Sequence, residues 1–145
     1  MFYSLIKYIL RIYLPLFFKK IHIEGFANVP KDQPILFAVN HQNTILDAVL
    51  TGISLKKNPS FLVRADFFKN SLFNWFFDKL QLIPISRGQD KRGNLITFNQ
   101  QTFSKCVTCL AQKKPILIFP EGTSSATHKL SKFKKGVARL AFQAE

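Results

Sequence analysis

Apolar residues fall along this chain in short unbroken runs, separated by longer stretches in which they recur at helical spacing. Four runs have the length of buried strands: 35–39, 61–63, 82–85 and 115–119. Continuous runs, rather than strict alternation, mark strands covered on both faces. Between them, Ile45, Leu46, Val49, Leu50 and Ile53 predict a helix over 44–54. An aromatic helical region follows from Phe67 to Leu80, and a long helix is expected from near Arg92 to Gln112. A last helix is expected from Lys132 to Gln143, with Val137, Leu140, Ala141 and Ala144 on one side. Residues 21–25 alternate and predict one more short strand. Turn signals stand at Lys31-Asp32-Gln33-Pro34 and Lys56-Lys57-Asn58-Pro59. Strands alternating with helices predict an α/β fold, a mixed and mostly parallel sheet flanked by helices.

Residues 1–20 read differently. They are mostly apolar and aromatic, yet Lys7 and Arg11 lie one helical turn apart and so share a face, and Pro15 is expected to bend or end the helix. A membrane crossing needs about 20 apolar residues without interruption, and no small-residue cleavage site follows the segment. Of a spanning helix, a core helix and an interfacial helix, the last fits best: aromatics in the acyl boundary, cations toward anionic headgroups. The chain therefore divides into a membrane-interfacial segment, 1–20, and one domain, 21–145.

Composition sharpens this. Lysine and arginine outnumber acids 21 to 8, a net charge of +13 that calls for an anionic partner: nucleic acid, a phosphorylated metabolite or an acidic membrane surface. Apolar residues make up 47% of the chain and 16 are Phe, which leans toward lipid. No known nucleic-acid-binding motif is present, and the aromatics cluster in apolar runs instead of alternating with cations, so a nucleic-acid module is the weaker reading. Two cysteines do not make a disulfide framework. Cys106 and Cys109 form a C-x-x-C inside an expected helix, without a second pair or a nearby histidine, and read as buried thiols rather than a zinc site.

The candidate chemistry sits where strands end. Three of the four runs stop at a polar group: His41 with Asp47, then Arg87 with Gly88, then Glu121-Gly122-Thr123. Open α/β sheets place their sites beyond the carboxyl ends of strands. A neutral imidazole there can take a proton from a hydroxyl, with a carboxylate fixing its tautomer. Asp47 also fits a capping box begun by Thr44, and the two roles are compatible. Arg87 offers a planar donor fork for a phosphate. Gly122 allows close backbone approach, Thr123 adds a hydroxyl, and exposed N–H groups at such a turn suit an anion. Lys132, Lys134 and Lys135 add charge ahead of a helix N-terminus opening at Gly136. A base beside a phosphate clamp reads as transfer to a hydroxyl of a phosphorylated small molecule.

These residues resemble the motif set of the glycerolipid acyltransferases. Asn40-His41 with Asp47 is similar to the first motif, Ile83-Pro84-Ile85-Ser86-Arg87-Gly88 to the second, and Phe119-Pro120-Glu121-Gly122-Thr123-Ser124 to the third, followed by Lys132-Phe133-Lys134-Lys135-Gly136. The match spans roughly residues 20–142 in the family's order. Five residues separate His41 from Asp47, where four are usual. The resemblance implies a glycerolphosphate-acyltransferase-like fold, His41 as general base and Asp47 as its orienting partner. It implies that Arg87 and Gly88 bind the acceptor phosphate, with Glu121, Gly122, Thr123 and Lys135 completing that pocket. It implies acyl-CoA or acyl-carrier protein as co-substrate, lysophosphatidic acid as acceptor, no cofactor and no metal. It places the protein on the cytoplasmic face of a membrane, the bacterial inner membrane being expected. The family's fourth motif is absent and the chain stops inside an apparent helix, so a C-terminally truncated member is expected. A catalytically inactive lipid-binding fragment of the family is the alternative.

Overall fold

The computed structural model describes residues 2–69, 71–86, 95–125, 127 and 129–144. Five helices, α1 (Phe2–Phe17), α2 (Leu46–Ser54), α3 (Ser71–Lys79), α4 (Leu95–Ala111) and α5 (Gly136–Gln143), surround four strands, β1 (Leu36–Ala38), β2 (Ser60–Arg64), β3 (Leu82–Ile85) and β4 (Ile116–Ile118). The strands form one sheet in the order β1-β4-β2-β3, and every pair is parallel. The mixed sheet expected from sequence is thus wholly parallel among the described residues.

The last strand in sequence, β4, sits between the first two. Its three residues are all buried, which explains why that run carries no polar position. Side chains alternate across the sheet. Leu62, Ile116 and Ile118 join Cys106 and Leu110 of α4 and Leu140 of α5 in one core. Phe61 points the other way, under Gly52 of α2, where an added Cβ would stand 2.8 Å from its ring. Pro84 has no N–H to give a neighbour. It lies in β3, which ends the sheet order, and its carbonyl accepts the Thr102 hydroxyl at 2.8 Å.

Three expected elements differ. Residues 21–25 form no strand. Their alternation places His22 and Glu24 on one side, where the two exposed side chains pair at 2.7 Å, and Gly25 then turns left-handed at φ 76° into a short 3-10 turn, Phe26–Asn28. α2 begins at Leu46, not Thr44, and Asn43 Oδ1 takes the Leu46 N–H at 3.1 Å at its start. α5 begins at Gly136, not Lys132, and the N–H groups of Ser131 and Lys134 ahead of it go to Glu121 Oε2 and Pro120 O, which hold that segment on the β4 turn. Pro15 lies inside α1, which stops two residues beyond it.

Lys7 and Arg11 share a face of α1, on which Lys7 is buried while Arg11 stays exposed but bends back onto α2. The Lys7 ammonium donates to Leu55 O and, at 3.3 Å, to Asn58 Oδ1. Arg11 donates to Ile53 O from Nε at 3.0 Å and Nη2 at 2.6 Å. The expected direction toward headgroups is corrected for Lys7: the carbonyls at the end of α2 have no helical partner and carry the negative end of its dipole, so they draw its ammonium inward, and Arg11 bonds to one of them while remaining exposed. Burial, and secondarily the Arg11 charge, lower the Lys7 pKa. The outward face of α1 keeps Leu5, Tyr8, Ile12, Leu16 and Phe17 exposed. No helix of the described residues is long and apolar enough to cross a membrane.

Candidate active site

His41 and the Glu121 turn meet because β1 and β4 are neighbours. Val39 N–H donates to Ile118 O at 3.0 Å, carrying the pairing one residue past β1, and Ser125 N–H donates to His41 O at 3.0 Å. The His41 ring stacks on Phe119, centroids 3.9 Å apart and planes inclined by 17°. Its Nδ1 lies 3.3 Å from Asp47 Oδ2, at the long end of an N–H···O bond. An ionised carboxylate has no proton to give, so the Nδ1–H donates and Nε2 keeps its lone pair. The same Asp47 oxygen accepts the Asn43 N–H at 2.6 Å. The loop from Asn40 to Ile45 absorbs the extra residue between His41 and Asp47, and the contact is made.

Glu121 is buried, and both its oxygens are occupied: Oε1 accepts His41 N–H and Oε2 accepts Ser131 N–H, each at 3.0 Å. One carboxylate thus ties the β1 loop, the β4 turn and the basic segment together. These two backbone donors hold its pKa below the ordinary carboxylate value. A depressed pKa stabilises the fold at every pH above the unfolded value, about 4.3 for Glu. That contribution disappears as the pH falls through the lower folded value. Glu121→Gln, which turns an NH2 toward a backbone N–H, is therefore expected to lower the melting temperature at pH 7. The gap to wild type should close in strong acid. A gap that stays constant down to low pH would contradict the strut.

Gly122 adopts φ 71°, and an added Cβ would press on Lys134 Cγ at 3.4 Å. Thr123 is exposed, and Ser124 reaches across to Thr44 at 2.8 Å. Lys134 lines the same cavity as His41, Gly122 and Thr123, while Lys135, its exposed neighbour, immediately precedes α5 and makes no side-chain capping bond to it. Arg87 and Gly88 lie outside the described residues, as do residues 92–94 at the expected start of α4. The chain leading to Arg87 is fixed: Ser86 lines the cavity and exchanges two hydrogen bonds with Asn99, N–H to Oδ1 at 3.1 Å and Nδ2 to O at 3.0 Å. Sequence reasoning missed Asn99. Its signal is a polar residue, with Thr102, on the stripe that continues into Cys106 and Leu110. Asn43 was missed too, although Asn before a helix is a capping signal.

The cavity has a volume of about 1680 Å³ and runs from His41 between α1, α2 and β2. Beyond its polar mouth it is apolar, walled by Ile6, Leu10, Val49, Gly52, Phe61 and Phe77. Among the described residues no three of His, Cys, Asp and Glu cluster as metal ligands would. Cys106 is fully buried and its thiol is pushed up to about 12, first by burial and then by Cys109, while Cys109 is half-buried, so the buried thiol expected is found at Cys106.

The family profile described as Acyltransferase matches residues 20–145. The chain belongs to the acyltransferase family. Over 125 residues it is 32% identical to a chloroplastic 1-acyl-sn-glycerol-3-phosphate acyltransferase of Arabidopsis thaliana, covering 86% of this chain and 33% of that one. A 1-acyl-sn-glycerol-3-phosphate acyltransferase of Chlamydomonas reinhardtii is 32% identical over 128 residues, 88% of this chain and 36% of its own. One of Pseudomonas aeruginosa is 28% identical over 122 residues, 84% of this chain and 44% of its own. The acyltransferase chain thus spans between a third and under a half of the length of these relatives, and its α/β domain is the part that the family profile matches.

Proposed function

We propose that this domain transfers a fatty acyl group from a thioester donor, acyl-CoA or acyl-carrier protein, to the free hydroxyl of a phosphorylated glycerol lipid, lysophosphatidic acid first. One observation carries the reading: a histidine with a carboxylate behind it and a glycine turn with lysine beside it share the mouth of a long apolar cavity. A mouth that is cationic with an interior that is apolar suits a molecule with a phosphate at one end and an acyl chain at the other. His41 Nε2 takes the proton of the acceptor hydroxyl as its oxygen attacks the thioester carbonyl. Asp47 steadies the imidazolium that forms. The tetrahedral intermediate collapses, the C–S bond breaks, and the proton passes to the departing thiolate. The ester, the free thiol and neutral His41 remain. No covalent acyl-enzyme and no metal is required.

Arg87 and Gly88, which follow in sequence the Ser86 that lines the cavity, take the acceptor phosphate with Lys134 and Lys135. Glu121 shapes the pocket through the loops it holds, and Gly122 and Thr123 form its floor. The membrane side is the outer face of α1. Phe2 packs on Trp75 and Phe76 at 5.6 and 5.7 Å, which joins that face to the exposed Leu72, Phe73 and Trp75 of α3. At 16 residues α1 is roughly 24 Å long, suited to lying in the interface. The test is to supply the intact protein, on anionic vesicles, with lysophosphatidic acid or glycerol 3-phosphate and either donor. Phosphatidic acid, formed from lysophosphatidic acid, is the expected product. Failure to acylate either acceptor with either donor would rule the reading out.

A further inference from the structure

Most of α1 is apolar on every side. Leu5, Tyr8 and Ile12 face outward, while Ile6, Leu10 and Leu14 face inward. Apart from the stripe of Ser4, Lys7 and Arg11, α1 presents apolar residues to every side, so burial of those residues does not by itself set its rotation and depth on the domain. Two side chains break this degeneracy. Lys7, only 7% exposed, sits in the middle of the inward face, with its ammonium among Leu55 O, Lys56 O and Asn58 Oδ1. One turn on, Arg11 forks onto Ile53 O. The receiving end of α2 is built for it. The chain leaves that helix directly into an extended Leu55, φ −69° and ψ 145°, without the left-handed residue that commonly closes a helix. Its last carbonyls are handed to α1 instead.

The inward residues around this clamp are also cavity wall. Tyr3, Ile6 and Leu10 lie within a turn of Lys7 and line the cavity that opens at His41, and the Tyr3 hydroxyl comes within 3.4 Å of where a Gly52 Cβ would stand. A wall formed by a separate helix has only the width that its docking gives it. Buried polar contacts are a means of fixing such a register, at a desolvation cost that an aliphatic residue would not carry.

We propose that Lys7 and Arg11 are positioning residues: by tying α1 to the carbonyl end of α2 they set the bore of the acyl groove, and with it the length of chain that the enzyme selects. This rests on the acyl-transfer reading above. The test compares the intact wild-type protein with Lys7→Met, Arg11→Met and Arg11→Lys, using a long-chain and a short-chain acyl-CoA with lysophosphatidic acid. Either Met variant should lower the long-to-short ratio of kcat/KM by about tenfold, the scale on which apolar pockets discriminate chain length. The loss should fall on KM for the long donor rather than on kcat. Arg11→Lys should retain most of the ratio. Hydrogen exchange should quicken in α1 and stay slow in β4, which separates a loosened wall from an unfolded domain. If the Met variants are active and keep the wild-type ratio, or if α1 exchanges no faster, this proposal fails alone. If the wild-type protein transfers no acyl group, the reading of the site fails and the proposal falls with it.

Discussion

His41→Ala should lower kcat by about 10²–10⁴-fold, the usual contribution of a positioned general base, while the domain stays folded. The imidazole is partly exposed, with 11% of its side chain open, and its main role in packing is the stack on Phe119. The backbone bonds that knit this loop, from His41 N–H to Glu121 and from Ser125 N–H to His41 O, do not involve the ring and survive the substitution. Asp47→Asn should cost less. An amide oxygen can still accept from Nδ1, but it brings no charge to the imidazolium, and a flipped amide would turn a donor toward that nitrogen. Both variants should bind the lysophosphatidic acid headgroup as the wild type does, since neither residue carries positive charge toward the phosphate. Turnover by His41→Ala near the wild-type rate, in protein shown to be folded, would remove the proposed mechanism.

Gly52→Leu should abolish use of long acyl donors before short ones. Gly52 is buried on the face of α2 that meets β2. Even a single carbon there would stand 2.8 Å from Phe61 Cζ and 3.4 Å from Tyr3 Oη. Phe61 is 8% exposed and has little room to retreat, so a leucine must extend into the cavity or push α1 outward. Overpacking of this kind costs about 1–3 kcal/mol, more than the helix propensity regained by replacing glycine, roughly 1 kcal/mol. Thermal unfolding should therefore come at a lower temperature. Donor profiles should end at a shorter chain, with kcat/KM for the longest donors down by at least about tenfold. A chain-length profile identical to wild type would show that the acyl group does not pass this point.

The strands were readable because burial on both faces leaves continuous apolar runs, and each run maps onto an observed strand to within a residue or two. The candidate residues at their ends were readable for the same reason: polar groups stand out where an apolar run stops. What brings His41 to Glu121 was not readable. It depends on β4 entering between β1 and β2, and a parallel strand carries no local mark of its neighbours. The helix ends were obscured by tertiary competition. Lys132 to Lys135 have helical propensity, but the Glu121 carboxylate and the Pro120 carbonyl take the Ser131 and Lys134 N–H groups and fix the path of the chain along the β4 turn. α4 ends at Ala111 and Lys113 follows at φ 56°, a left-handed position that a glycine would have announced and a lysine hides. Lys7 was misdirected for a related reason. Spacing shows that two cations share a face, but only the packed structure shows unpaired carbonyls waiting beneath it.

The sheet order has a cost in time. Strand β1 has β4 as its sheet partner among the described residues, and Leu36 must wait for Ile116, 80 positions later. At ribosomal speeds of about 5–20 residues per second, the nascent chain carries an unpaired apolar strand and an unsupported His41 loop for roughly 4–16 s. Such long-range parallel pairing is slow to nucleate and leaves strand edges open meanwhile. A basic, phenylalanine-rich nascent chain in that condition is a natural client for a chaperone or for the membrane surface itself, and early docking of α1 would shield it until the last strand arrives.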